Sequence, residues 1–145
     1  MAVSGTFHIG SFGGSRIEAD RREVEDEHGK PIEVVTVGDA RPSAQTDALL
    51  DATRQALVNA VTHGGEPVSL YCEASDTMVE VFVRDHGEGF DMDAIPPDRL
   101  GIRESIIGRI KRRGGTVEIV SRAGWGTEVR MHMPIALKAA QGEHR

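Results

Sequence analysis

Apolar and polar positions alternate in five stretches of this chain and recur at helical spacing in three others. "IEVVTVG" (32–38), "PVSLYCEA" (67–74), "TMVEVFVRD" (77–85), "TVEIVSR" (116–122) and "TEVRMHMP" (127–134) are β-branched or alternating runs and predict strands, the last two joined as a hairpin by "AGWG". "IEADRREVEDEHG" predicts a charged helix from Ile17, closed by Gly29, and "IRESIIGRIKRR" a helix from Ile102 that ends at Gly114-Gly115. The strongest helix runs from Ser43 to His63, with Pro42 before it and Gly64-Gly65 after it. Leu50, Leu57 and Val61 share one face of that helix; Gln55, Asn59 and Thr62 share the opposite face, with His63 at its edge. The order helix, strand, helix, strand, strand, helix, strand, strand contains no repeat. It predicts an α+β two-layer sandwich, a mixed sheet covered on one face by helices.

Composition narrows the class without changing this outline. At 145 residues a single domain is expected, with a flexible segment or linker over 1–15, a body over 16–136 and a tail over 137–145. A formal charge of −6 argues against non-specific nucleic-acid binding, which needs a basic surface. No apolar run is long enough to span a bilayer, so no direct membrane contact is expected. The single cysteine, Cys72, has no internal partner, which fits a reducing cytoplasm; its place in a strand suits a small buried hydrophobe better than a reactive thiol.

The candidate chemistry lies in four places. Asn59 offers a neutral carbonyl oxygen, a suitable ligand for a hard cation already held by phosphates, and Gln55 can make a polar contact one turn earlier. His63 can reach a phosphate or cap the helix C-terminus. "RDHGEGFD" puts Asp85 at the end of a strand, where it can accept from an exocyclic amine, followed by Gly87 and Gly89, whose freedom at positive φ lets backbone approach a flat ring; an acidic turn has the same makings. Gly101 directly precedes the predicted helix at Ile102, whose free N–H groups suit a phosphate chain, and Arg99 and Arg103 flank it as added charge or as plain surface arginines. "GWGT" (Gly124, Gly126, Thr127) suits a hairpin turn, or places a hydroxyl beside a purine.

In this order the four blocks resemble the ATP-binding domain of the GHKL superfamily, above all the catalytic and ATP-binding domain of sensor histidine kinases. "RQALVNAVTHGG" resembles the N box and "RDHGEGFD" the G1 box. The carboxyl end, G-I-R-x-x-I, a helix, G-G-x-V-x-I-x-S and G-x-G-T, is similar to the nitrate-sensor and desaturase-sensor type, particularly actinobacterial members with PspC-type membrane segments. The likeness covers roughly Val24 to Pro134. It implies a Bergerat-type fold, ATP as ligand and Mg²⁺ bridging its phosphates. Asn59 would be the Mg²⁺ ligand, Asp85 the adenine contact, Gly87 and Gly89 the pocket floor, Gly101 the phosphate side, and Gly124, Gly126 and Thr127 the purine side; Phe90 to Leu100 would be the ATP lid. It also implies a phosphoacceptor histidine on an upstream dimerisation domain, a response regulator as partner, and a cytoplasmic position within a membrane-anchored parent.

Two positions depart from the family. Gln55 stands where many relatives have a glutamate, and glutamine cannot take a proton. Thr62 stands where many have a lysine or arginine, which removes a phosphate-binding cation. Neither His8 nor His28 fits a phosphoacceptor, so transfer within this chain is not expected. A free-standing serine kinase of the anti-sigma-factor type and a non-catalytic nucleotide-binding module are the competing readings. The basic run from Arg109 to Arg113 is a solvated helix face or a docking patch for the acceptor helix or the regulator.

Overall fold

The structure, a computed structural model, describes residues 6–8, 14–38, 40–95 and 97–135. Along the chain it forms β1 (Thr6–His8), α1 (Gly14–His28), β2 (Ile32–Val37), α2 (Ala44–His63), β3 (Val68–Ala74), β4 (Met78–Asp85), α3 (Pro97–Lys111), β5 (Thr116–Arg122) and β6 (Gly126–Pro134). The strands make one six-stranded sheet in the order β1-β2-β3-β4-β6-β5, with β1, β2 and β3 parallel and the remaining pairs antiparallel.

Period-two alternation decides which face is covered. Ile32 and Val34, Leu70 and Cys72, Val79, Val81 and Val83, and Met131 and Met133 are buried, while Val35, Tyr71, Phe82 and Arg130 between them are exposed or half-exposed. The helices pack on the buried face with Ile17 and Val24 of α1, Leu49, Leu57 and Val61 of α2, and Ile106 and Ile110 of α3. Ala52, Ala56 and Ala60, one turn apart, are buried, and their small side chains let α2 lie close to the strands. Ser43 caps α2: its hydroxyl accepts from Thr46 N–H at 3.2 Å, and its own N–H donates to Thr46 Oγ1 at 2.8 Å. Ion pairs of Arg16 with Asp51, and of Arg54 with Asp20 (3.3 Å) and Glu23 (2.6 Å), tie α1 to α2.

Two connections bring distant parts of the chain together. Helix α2 is the crossover between the parallel strands β2 and β3. Helix α3 carries the chain past one sheet position to β5, and the β5–β6 hairpin returns β6 into the gap beside β4. The end of β4 therefore meets the start of β6, with Asp85 opposite Thr127.

Three expectations change. Part of the stretch read as a linker forms β1, which adds to the sheet beside β2, and α1 begins at Gly14 rather than Ile17. Helix α3 begins at Pro97, because a proline in the first turn needs no N–H partner and brings a helical φ; Pro97 to Leu100 are thus helical rather than irregular lid. The tail over 137–145 lies outside the described residues. Cys72 is 1% exposed, and burial pushes its thiol up to about 12. Among the described residues no helix is long and apolar enough to cross a membrane.

Candidate functional site

Asp85 continues the buried alternation of β4 at a place where Val79, Val81 and Val83 predict another apolar residue, and it is only 6% exposed. A carboxylate in such a place needs donors. One is the Gly87 N–H, which donates to Asp85 Oδ1 at 2.8 Å. Backbone closes in around the same group. A Cβ on Gly64 would collide with Asp85 Cγ and the Ala60 carbonyl, and one on Gly126 with the Asp85 carbonyl. Gly87 has no positive φ, contrary to expectation; what requires glycine there is close packing, since a Cβ would lie 2.7 Å from Gly65 N. Gly89 does adopt the left-handed region, at φ 70°. The His86 N–H donates to the Gly65 carbonyl at 2.8 Å, locking the end of α2 to the loop after β4.

Across the strand pair, Thr127 Oγ1 lies 2.8 Å from Ser121 Oγ. Ser121 also donates to the Gly126 carbonyl at 3.1 Å and accepts from the Phe90 N–H at 2.9 Å. This buried serine therefore joins the loop after β4 to the β5–β6 hairpin. It is the serine of the G-G-x-V-x-I-x-S pattern, and its parity with Val117 and Ile119 was the signal that it faces inward. Gly124, exposed at φ 80°, donates to the Glu88 carbonyl at 2.7 Å as part of the same tie. Trp125 stacks under the Arg84 guanidinium, 3.7 Å from its ring centroid.

The second half of the site lies between α2 and α3. Asn59, Phe90, Arg99, Arg103, Ile106 and Thr127 are among the walls of a cavity of about 20 Å³. Of the four buried side-chain polar atoms without a partner among the described residues, three belong to residues that line this cavity: Asn59 Oδ1, Arg99 Nε and Arg103 Nε. The Arg99 guanidinium sits 5.6 Å from the Phe90 ring centroid. One carbonyl oxygen and the Nε of two arginines thus belong to residues around one cavity without a partner of their own, while Arg103 Nη1 donates to Glu104 at 3.3 Å. Such atoms cost stability unless a ligand takes them up.

Other expected residues are placed differently. Gln55 accepts from Ser105 Oγ at 3.3 Å and is not among the walls of the Asn59 cavity. His63, half-buried, is the last residue of α2 and is also absent from those walls. Gly101 is corrected: it is exposed inside α3, four residues past the helix start, so its N–H belongs to the helix and no free helix end is found there. Thr62 is exposed.

An acidic strand end, glycines packed backbone to backbone, and an unsatisfied polar cluster between two helices define a GHKL-type α+β sandwich with a ligand cleft. The sequence profile of the histidine kinase-, DNA gyrase B- and HSP90-like ATPases matches residues 44–137, and the chain belongs to that family. It is similar to the sensor histidine kinase LiaS of Bacillus subtilis (strain 168), at 29% identity over 90 residues. That match takes in 61% of this chain and 25% of the relative, so the chain spans about a quarter of it. Two solved structures share the fold. The histidine kinase domain from the Erythrobacter litoralis EL346 blue-light activated histidine kinase aligns with TM-score 0.63 and 19% identity, over 89% of this chain and 61% of that one. A structure of the blue-light activated kinase itself aligns with TM-score 0.68 and 17% identity, over 90% and 43%.

Proposed function

We propose that this domain binds Mg-ATP and transfers the γ-phosphoryl group to a histidine on a separate dimerisation domain, as the catalytic part of a two-component sensor histidine kinase. The observation that carries the reading is that Asn59, Arg99 and Arg103, each with a buried polar atom that has no hydrogen-bond partner (Oδ1, Nε and Nε), line one cavity. An acceptor beside two cationic donors suits a ligand that brings both a cation and phosphate oxygens. The residues present therefore fit Mg-ATP. Bound there, Mg²⁺ would neutralise phosphate charge, which is most of what phosphoryl transfer needs.

Each residue then has a separate task. Asp85 accepts from the amine of the base, while Gly87, Gly89 and Gly126 let backbone pack closely around it, Gly124 ties the hairpin to Glu88, and the Ser121 hydroxyl holds the Thr127 hydroxyl in place. Arg99 and Arg103 supply from α3 the positive charge that Thr62 does not supply from α2. Asn59 offers its oxygen to the cation. A cavity of about 20 Å³ holds roughly one water, so its walls, Phe90 and Arg99 among them, must shift for a nucleotide to enter.

Calorimetric titration with ATP, ADP and adenosine, with and without Mg²⁺, tests the assignment. Asn59→Ala is expected to weaken ATP only when Mg²⁺ is present, and Arg103→Gln to weaken ATP and ADP but not adenosine. Magnesium-independent loss in the first, or equal loss for adenosine in the second, would overturn it. A second reading, a nucleotide-binding module without transfer, is favoured by one observation: Gln55 has no proton-accepting group and is engaged by Ser105. ATP binding without phosphohistidine on any of a panel of dimerisation domains would decide for that reading.

A further inference from the structure

The cavity beside Asn59 is narrowed by two side chains from different parts of the chain. Phe90 follows the acidic loop after β4, and Arg99 lies in the first turn of α3. Both are among its walls, and the Arg99 guanidinium stands 5.6 Å from the Phe90 ring centroid. A cation near an aromatic face gains a modest attraction. Arg99 Nε, buried without a hydrogen-bond partner, has no bond that competes with it. The volume left between the walls, about 20 Å³, is far short of a nucleotide.

The backbone that carries the ring is held in place. The Phe90 N–H donates to Ser121 Oγ at 2.9 Å. Beside it, Gly89 packs so close to β5 that a Cβ would lie 2.0 Å from the Arg122 carbonyl oxygen. One residue earlier, the Glu88 carbonyl accepts from the Gly124 N–H at 2.7 Å. The chain from Glu88 to Phe90 is thus tied to β5 and the β5–β6 hairpin, and the ring is left to move by turning about its own side-chain torsions. We propose that Phe90 and Arg99 form a side-chain gate that makes the cleft select phosphorylated nucleotides over bare nucleosides. The ring shuts the cleft while the guanidinium lies near it. A phosphate oxygen opens it by drawing Arg99 into a charge-assisted hydrogen bond, which is stronger than the contact to the ring. Displacing the ring weakens the binding of every ligand, and only a phosphate offsets the loss. The gate rests on the Mg-ATP reading for its ligand.

The test compares ATP and adenosine on wild type, Phe90→Leu and Arg99→Gln, with calorimetry for affinity and stopped-flow mixing for association rate. Leucine keeps an apolar side chain but offers no ring face to the guanidinium. Phe90→Leu is therefore expected to bind both ligands about threefold faster and tighter, because less of the protein is held shut. Arg99→Gln releases the same ring but also removes the phosphate contact. It is expected to tighten adenosine by about threefold while weakening ATP by about tenfold, a crossover that loss of structure alone does not produce. Thermal unfolding shows that the variants fold, and Arg99→Gln carries the test by itself if Phe90→Leu does not. Slower association or weaker binding in a folded Phe90→Leu protein would make the ring a ligand contact and overturn the proposal. So would unchanged affinities in that variant, or adenosine binding that Arg99→Gln leaves unchanged or weakens. Wild-type protein that fails to bind ATP refutes the cleft and the gate together. Magnesium-dependent ATP binding that is lost in Asn59→Ala, without the gains in Phe90→Leu and Arg99→Gln, refutes only the gate.

Discussion

Replacing Asp85 by asparagine probes the proposed contact to the base with little disturbance of packing. The amide matches the carboxylate in size, and the site is 6% exposed, so the exchange neither opens a cavity nor overfills one. What changes is the hydrogen-bond inventory. In wild type one oxygen accepts from Gly87 N–H at 2.8 Å, and in the proposed reading the other accepts from the ligand amine. In Asp85→Asn the amide oxygen keeps the Gly87 bond, and the NH₂ then faces a donor with a donor; turned over, it leaves the Gly87 N–H without its acceptor. Either way one hydrogen bond to a charged group is lost, worth about 1.5–3 kcal/mol, or roughly a 10- to 150-fold weaker Kd. Calorimetry with ATP measures this directly, and purine riboside triphosphate, which lacks the amine, is the control expected to bind both proteins alike. Thermal unfolding establishes that the fold survives. Unchanged ATP affinity in a folded Asp85→Asn protein, or equal losses for both nucleotides, would refute the assignment of Asp85 to the base.

Three further outcomes rest on the same geometry. Ser121→Ala strands the Phe90 N–H and the Gly126 carbonyl; a loss of about 1–3 kcal/mol in denaturant unfolding is expected, with weaker nucleotide binding, and an unchanged midpoint would contradict the linking role. Gly64→Ala drives a methyl group into Asp85 and the Ala60 carbonyl and should destabilise by about 1–3 kcal/mol, whereas Gly101→Ala, with nothing within 4 Å, should stabilise α3 by roughly 0.5–1 kcal/mol and leave ATP affinity unchanged. Cys72, with its thiol held at about 12 by burial, should resist alkylation until the protein unfolds. Because the folded value lies above the ordinary 9.0, the stability linked to this thiol is fully present below about pH 9 and lost as pH rises toward 12; a pH series of unfolding curves on wild type and Cys72→Ala checks the sign.

The elements were legible because each rests on a local period. The alternation of "MVEVFVRD" specifies a half-buried strand, and the capped run from Ser43 to His63 specifies a helix wherever they are placed. Asp85 stood out in the sequence as an acceptor at the end of a strand, directly before Gly87 and Gly89. Errors fell where local signals compete. Gly101 marks a helix start by composition, but Pro97 is compatible with the first turn and the helix extends back to it. Gly87 can adopt positive φ, yet the approach of Gly65 is what excludes a side chain there, and that approach joins residues distant in sequence.

By itself, then, the chain's order of apolar and polar residues determined the helices, five of the six strands and the acidic loop, because those depend on neighbours a few positions away. Only the tertiary structure decided that β6 lies beside β4, so that Thr127 faces Asp85, and that α3 turns Arg99 and Arg103 toward Asn59. The physical reason is that unsatisfied polar atoms and backbone-to-backbone contacts arise from where elements cross, and crossing follows from burying every apolar face at once.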